Sequence, residues 1–191
     1  MNRKRLTNLI LCALFAAIIS VFSVMTIPIG VVPVSMSVFA IMLTGMLLNW
    51  RMAAVSAAVY VLLGLIGVPV FSGFRGGLSV LVGPTGGFIL SYVPMVAIIS
   101  LISSRKIKNK IVGVFLHISG AIVGLVLCYL LGTIQFTIVT GSSFKNALAI
   151  CVYPFVIFDL AKTAIAVIVA ISVKRALPTY FQQLSAESSK A

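Results

Sequence analysis

The sequence predicts an all-α integral membrane protein with six transmembrane helices and both termini cytoplasmic, and three observations carry that prediction. The first is composition: 61% of the 191 residues are hydrophobic and only 8% are charged, against about 45–50% apolar and about 25% charged in soluble domains. The second is a series of apolar runs, most of them near the ~20 residues that cross a hydrocarbon layer. The third is charge placement, with 14 basic residues set against two acids, Asp159 and Glu187. This composition leaves no room for a separate soluble domain, so residues 1–191 are read as one membrane domain. The net charge of +12 forms no water-exposed, aromatic-rich face, which argues against a nucleic-acid partner.

The first span, 7–27, follows Arg3, Lys4 and Arg5 and has the look of a secretory signal. It runs on without a small-x-small cleavage site and leads into further apolar segments, so it is expected to remain as a span. The second, 34–48, and the third, 52–68, are short and separated by Asn49-Trp50-Arg51. A tight helical hairpin is the reading adopted, and one long kinked element is the alternative. The fourth, fifth and sixth spans are expected at 86–103, 111–133 and 148–173.

Lys and Arg beside span ends stay on the cytoplasmic side. Six spans put Arg3, Lys4, Arg5, Arg51, Arg105, Lys106, Lys108, Lys110, Lys174, Arg175 and Lys190 inside and only Arg75 and Lys145 outside, with Lys162 within a span. Dropping the short hairpin would spoil that split. The tail from Gln182 is small and polar, as frayed termini are.

The chain lacks the Gly-x-x-x-x-Gly-Lys-Ser/Thr loop of an ATPase, so energy for any transport has to come from elsewhere. His117, beside Ser119, reads as a helix-facing histidine bonded to a neighbour, and Cys12, Cys128 and Cys151 read as small core residues. No nucleophile and base can be paired from this inventory. An enzyme is therefore not expected, nor is a metal site or cofactor.

Two features call for another explanation. Asp159 and Lys162 lie three residues apart in the sixth span, so their side chains leave one helix face and can meet each other or one ligand. A charge at this depth costs about 2.5–3.5 kcal/mol on insertion scales, which disfavours a lipid-facing position. A cavity-facing pair is expected, with a purely structural ion pair as the alternative. The second feature is the connection 67–87, expected on the outer face, which holds seven of the chain's 15 glycines. Glycine permits sharp turns and close approach, and the loop ends where the fourth span begins, at a helix N-terminus that favours a carboxylate. Arg75 is a planar bidentate donor for the same group, although a solvated loop with no site is the alternative. Ala13 with Ala17, and Gly120 with Gly124, have the spacing of close helix approach.

The string Leu63-Gly64-Leu65-Ile66-Gly67-Val68-Pro69-Val70-Phe71, then Gly76-Gly77, then Gly83-Pro84-Thr85-Gly86-Gly87-Phe88, with Asp159-x-x-Lys162 late in the chain, resembles BioY, the biotin-specific substrate-binding subunits of energy-coupling factor transporters. The resemblance covers nearly the whole chain. It implies six membrane helices, a pocket near the outer face, and a complex with one membrane coupling subunit and two ATPase subunits in the cell membrane. It also implies that Ala13 and Ala17 dock the coupling subunit. One departure stands out: the family's usual Pro-Val-Thr-x-Gln reads Pro33-Val34-Ser35-Met36-Ser37 here, so no ligand role is carried onto Ser37.

With biotin as the implied ligand, Asp159 is expected to accept from a ureido N–H, and Lys162 to donate to the ureido oxygen or to keep Asp159 charged. Arg75 is expected to meet the carboxylate with N–H groups of the loop, where Gly76, Gly77 and Thr85 lie. Phe71, Tyr92 and Tyr153 complete the expected set as apolar walls. A stand-alone carrier of a small carboxylate vitamin, driven by proton or ion flow, is the alternative function.

Overall fold

The computed structural model describes residues 3–27, 34–105 and 109–177. Lys106, Lys108, Lys190 and the tail from Gln182 fall outside these described residues. Helix α1 (Arg3–Val24) leads into a short strand, β1 (Thr26–Ile27), which pairs antiparallel with β2 (Val34–Ser35). A helical hairpin follows, α2 (Ser37–Leu47) and α3 (Trp50–Leu65). The long connection holds one helical turn, α4 (Leu78–Leu81), and the chain finishes with α5 (Gly86–Ser103), α6 (Lys110–Thr140), α7 (Phe144–Cys151) and α8 (Tyr153–Ala176).

Among the described residues α1, α5, α6 and α8 are long and apolar enough to cross a membrane, and α2 and α3 are shorter apolar helices. Residues 34–68 form two helices with a break between them: Leu48 is extended, and the Asn49 side chain accepts the Met52 N–H at 3.0 Å. That bond satisfies an otherwise orphaned donor at a new helix start.

Two boundaries differ from expectation for identifiable reasons. Helix α6 runs seven residues past the expected end at 133 and stops where Gly141 takes a left-handed conformation (φ 67°). Its late hydroxyls look like a polar break, but Thr137 donates to the Ile134 carbonyl and Thr140 to the Phe136 carbonyl, both at 2.7 Å. Back-bonded in this way, they stay within the helix. The sixth segment begins earlier, at the Ser143 N-cap, and is broken at Val152 (φ −123°, ψ −58°). Pro154 lies in the first turn of α8, a place where proline fits, whereas a continuous helix through it would set its ring against the carbonyl four residues back.

Helix α5 packs on α6, α3 and α2, while α1 packs on α2 and α3, and α2 on α8. Ile19, Ile41, Met42, Tyr60, Met95 and Ile99 are fully enclosed in this interior. Large apolar side chains such as Leu9, Val21, Ile157 and Ile168 face outward, as expected of helices solvated by lipid. Helices in lipid associate through close packing rather than by hiding apolar surface. Gly120 and Gly124 serve that end inside the protein, since a Cβ on Gly124 would lie 2.8 Å from Ile99 of α5. Ala13 and Ala17, by contrast, are exposed on α1.

Candidate functional site

The cavity is built around the one acid and the one lysine that the sequence places deep in an apolar span. Asp159 is 3% exposed and Lys162 7%, and Lys162 Nζ donates to Asp159 Oδ1 at 2.8 Å. The pair is not sealed in a helix seam, because both residues line an open cavity. Two further contacts fix it. Tyr129 of α6 donates to Asp159 Oδ2 at 2.6 Å, and Lys162 donates to the Ser35 carbonyl at 2.7 Å. Strand β2 holds that carbonyl in place through its register with β1, Thr26 opposite Ser35. A carboxylate offers about four lone-pair directions, so with each oxygen engaged once, Asp159 retains acceptor capacity toward the cavity.

The walls come from β2, α2, α5, α6, α7 and α8 and from the connection 67–87. Phe71 is fully buried and stands edge-on to Tyr60, with ring centroids 5.6 Å apart and planes at 79°. It fits because Gly64 has no side chain, as a Cβ there would overlap the Phe71 ring. Ile89 and Tyr92 come from α5, Cys128 from α6 and Cys151 from α7, and Phe155 of α8 closes the side. The space between atoms, counted together with the open solvent at its mouth, is about 770 Å³.

The mouth is shaped by a tight reversal. Phe71 and Arg75 exchange backbone hydrogen bonds at 2.9 and 3.3 Å, with Gly73 at φ 73° and Phe74 at φ 56°. The reversal sets Arg75 on the cavity wall although its residue surface as a whole is exposed. Thr85, at the start of α5, lines the cavity with no hydrogen bond from its side chain to the helix.

Three expectations about this site come out differently. Gly76 and Gly77 do not line the cavity. They sit against the end of α3, where Gly77 N–H donates to the Gly64 carbonyl at 2.6 Å and a Cβ on Gly76 would press into the Val68 carbonyl at 2.5 Å. Loop N–H groups expected to be open to a ligand are partly consumed: those of Gly67, Gly77 and Gly86 are held by backbone carbonyls. Tyr153 is 64% exposed and lies off the cavity, because the break at Val152 turns the first residue of α8 outward and leaves Cys151 and Phe155 facing in.

Other contributors have weak signals in the sequence. Gln135 donates through Nε2 to the Leu81 carbonyl at 2.7 Å and to the Gly83 carbonyl at 2.9 Å, tying the loop to α6. Its signal was that of an amide alone in an apolar stretch, which has to find partners. Tyr129 and Ser35 carried no comparable mark. His117 bonds to Lys174, with Nε2 and Nζ 3.0 Å apart, remote from the cavity lining. Cys12, Cys128 and Cys151 are free and buried. Among the described residues no group of three or more His, Cys, Asp or Glu is placed to hold a metal ion.

A bundle of apolar helices around a cup with an ionic floor defines a multi-pass membrane protein that binds a small polar molecule. The family model for BioY matches residues 1–179, and the chain belongs to the BioY family. It is 38% identical over 177 residues to "Biotin transporter BioY2" of Lactococcus lactis subsp. cremoris, covering 93% of this chain and 95% of that protein. It is 33% identical over 168 residues to "Biotin transporter BioY" of Thermotoga maritima, covering 88% and 96%. Its fold matches the solved S-component for biotin from an ECF-type ABC transporter with a TM-score of 0.80 at 22% identity, covering 92% of this chain and 94% of that one.

Proposed function

We propose that this chain is the biotin-binding subunit of an uptake system, a transport protein rather than an enzyme, which passes its substrate inward with the help of an ATP-driven coupling module. The observation that carries the reading is the Asp159–Lys162 pair on the floor of an open cup in a chain whose relatives are named biotin transporters. Biotin presents a ureido group with two N–H donors and one carbonyl acceptor, an apolar bicycle and a terminal carboxylate. Asp159 accepts from a ureido N–H. Lys162 keeps one N–H beyond the two it spends on Asp159 and Ser35, and that one serves the ureido oxygen. Phe71, Tyr92 and Phe155 enclose the bicycle, and Arg75, with Thr85 nearby, takes the carboxylate at the mouth.

The topology proposed is six spans with both termini cytoplasmic, supported by the eleven-to-two division of basic residues. The connection 67–87 then lies outside, so the cup opens outward. The exposed pair Ala13 and Ala17 on α1 is the docking surface for one membrane coupling subunit, which carries two ATPase subunits with it. Equilibrium binding on the purified chain tests the ligand, with biotin expected to saturate one site and failure to bind overturning the reading. Reconstitution tests the coupling: the chain alone is expected to bind biotin without accumulating it, whereas uptake driven by an imposed pH gradient would make it a stand-alone carrier.

A further inference from the structure

Three hydroxyls run in a line along one side of the cavity. Tyr92 Oη is 2.7 Å from Ser37 Oγ, and Ser37 Oγ is bonded in turn to Ser35 Oγ, which also accepts the Ser37 backbone N–H at 3.3 Å. Each hydroxyl carries a single hydrogen, so three hydrogens serve two bonds and one is left over. Among the described residues neither Ser35 Oγ nor Tyr92 Oη has a further partner. Ser35 and Tyr92, the residues at its two ends, line the cavity, whereas Ser37 in the middle is fully buried and off the lining. An unspent hydroxyl hydrogen buried beside a ligand cavity costs free energy unless the ligand accepts it.

Which end presents the hydrogen follows from the chemistry of the three groups. A phenol is a better donor and a poorer acceptor than an aliphatic alcohol, so the favoured direction is Tyr92 to Ser37 to Ser35. The spare hydrogen then belongs to Ser35, whose own carbonyl takes the Lys162 ammonium at 2.7 Å. Resting on the biotin-binding reading above, we infer that the Ser35 hydroxyl is a ligand donor, set by Ser37 and Tyr92, that joins Lys162 on the carbonyl oxygen of the substrate's ureido group. Tyr92 is thereby more than a wall: it orients a donor two hydrogen bonds away through the buried Ser37. The site becomes a reader of the atom at that position, favouring a strong oxygen acceptor over a weak one.

Binding constants of the purified full chain for three probes test this: biotin, its analogue with sulfur in place of the ureido oxygen, and desthiobiotin, which keeps the oxygen. Ser35→Ala is expected to lower the preference for biotin over the sulfur analogue about tenfold, the scale of one buried hydrogen bond. The preference between biotin and desthiobiotin should not move. Tyr92→Phe is expected to shift the first ratio in the same direction by about threefold, which a purely apolar role for that ring would not do, and it keeps the test open if Ser35→Ala does not fold. An unchanged oxygen-to-sulfur ratio in these variants overturns the inference while leaving biotin binding in place. Failure of the unaltered chain to bind biotin overturns both the inference and the function on which it rests.

Discussion

The floor and the mouth of the cup are built on opposite principles. At the floor, Asp159, Lys162 and Ser35 are buried and Tyr129 half-buried, and a chain of three hydrogen bonds of 2.6–2.8 Å runs from Tyr129 through Asp159 and Lys162 to the Ser35 carbonyl. All four positions are set by helices or by a paired strand. At the mouth, Arg75 is carried on a glycine-bearing reversal and is exposed as a residue, and its loop is tied to the bundle by the Gln135 amide. Charges sunk in a low-dielectric interior are tolerated only when paired and geometrically fixed. An exposed guanidinium gains less from any one contact because water competes for it. On the proposed function, this contrast makes the floor the place of selectivity and the mouth the place of capture.

The largest effect is expected where the floor is broken. Asp159→Asn removes the charge that pairs Lys162 and is expected to weaken biotin binding about a hundredfold, as charged hydrogen bonds do when lost. Titration calorimetry reads this directly, and equal affinity in both proteins would remove Asp159 from the site. At the mouth, Arg75→Ala is expected to weaken biotin about tenfold while leaving biotin amide nearly unaffected. A parallel loss for acid and amide would instead make Arg75 a structural residue of the loop.

Gln135→Leu sharpens the comparison from the scaffold side, since it strips two carbonyls of their partner without touching the cavity lining. We expect a fall of a few degrees in Tm and about a threefold weaker Kd, from a loosened mouth. No change in either would show that the loop holds its shape without this tie. Tyr153→Ala is the smallest: from its exposed place off the cavity it should alter the Kd for biotin by less than about twofold, and a larger loss would return Tyr153 to the wall.

What could be read from the sequence follows the same division. The pair at Asp159 and Lys162 was visible because a charge in hydrocarbon announces itself and because helical periodicity puts residues three apart on one face. Tyr129 was not visible, since a tyrosine in a membrane span reads the same whether or not its hydroxyl meets an acid on another helix. Glycine density marked the loop correctly as a place of close approach. It did not say which surface would be approached, and at Gly76 and Gly77 that surface is the end of α3 rather than the cavity. The bundle itself was legible from hydropathy, and its errors fall where local chemistry overrides hydropathy: the back-bonded threonines that lengthen α6, and the proline that splits the sixth segment and moves Tyr153 outward.

The length of α6 has a consequence for where the ligand first meets the protein. Thirty-one residues at about 1.5 Å each make a rod of about 46 Å, whereas the acyl-chain layer is about 30 Å thick. Absorbing the surplus by inclination alone would take about 50°, beyond the range of about 0–40° seen for spanning helices. The rod therefore extends past the acyl-chain layer, and on the proposed topology its outer end is the one bearing Gln135, which anchors the connection 67–87. Length spent at that end would keep the turns and bare amides of the connection clear of lipid tails that have nothing to offer them.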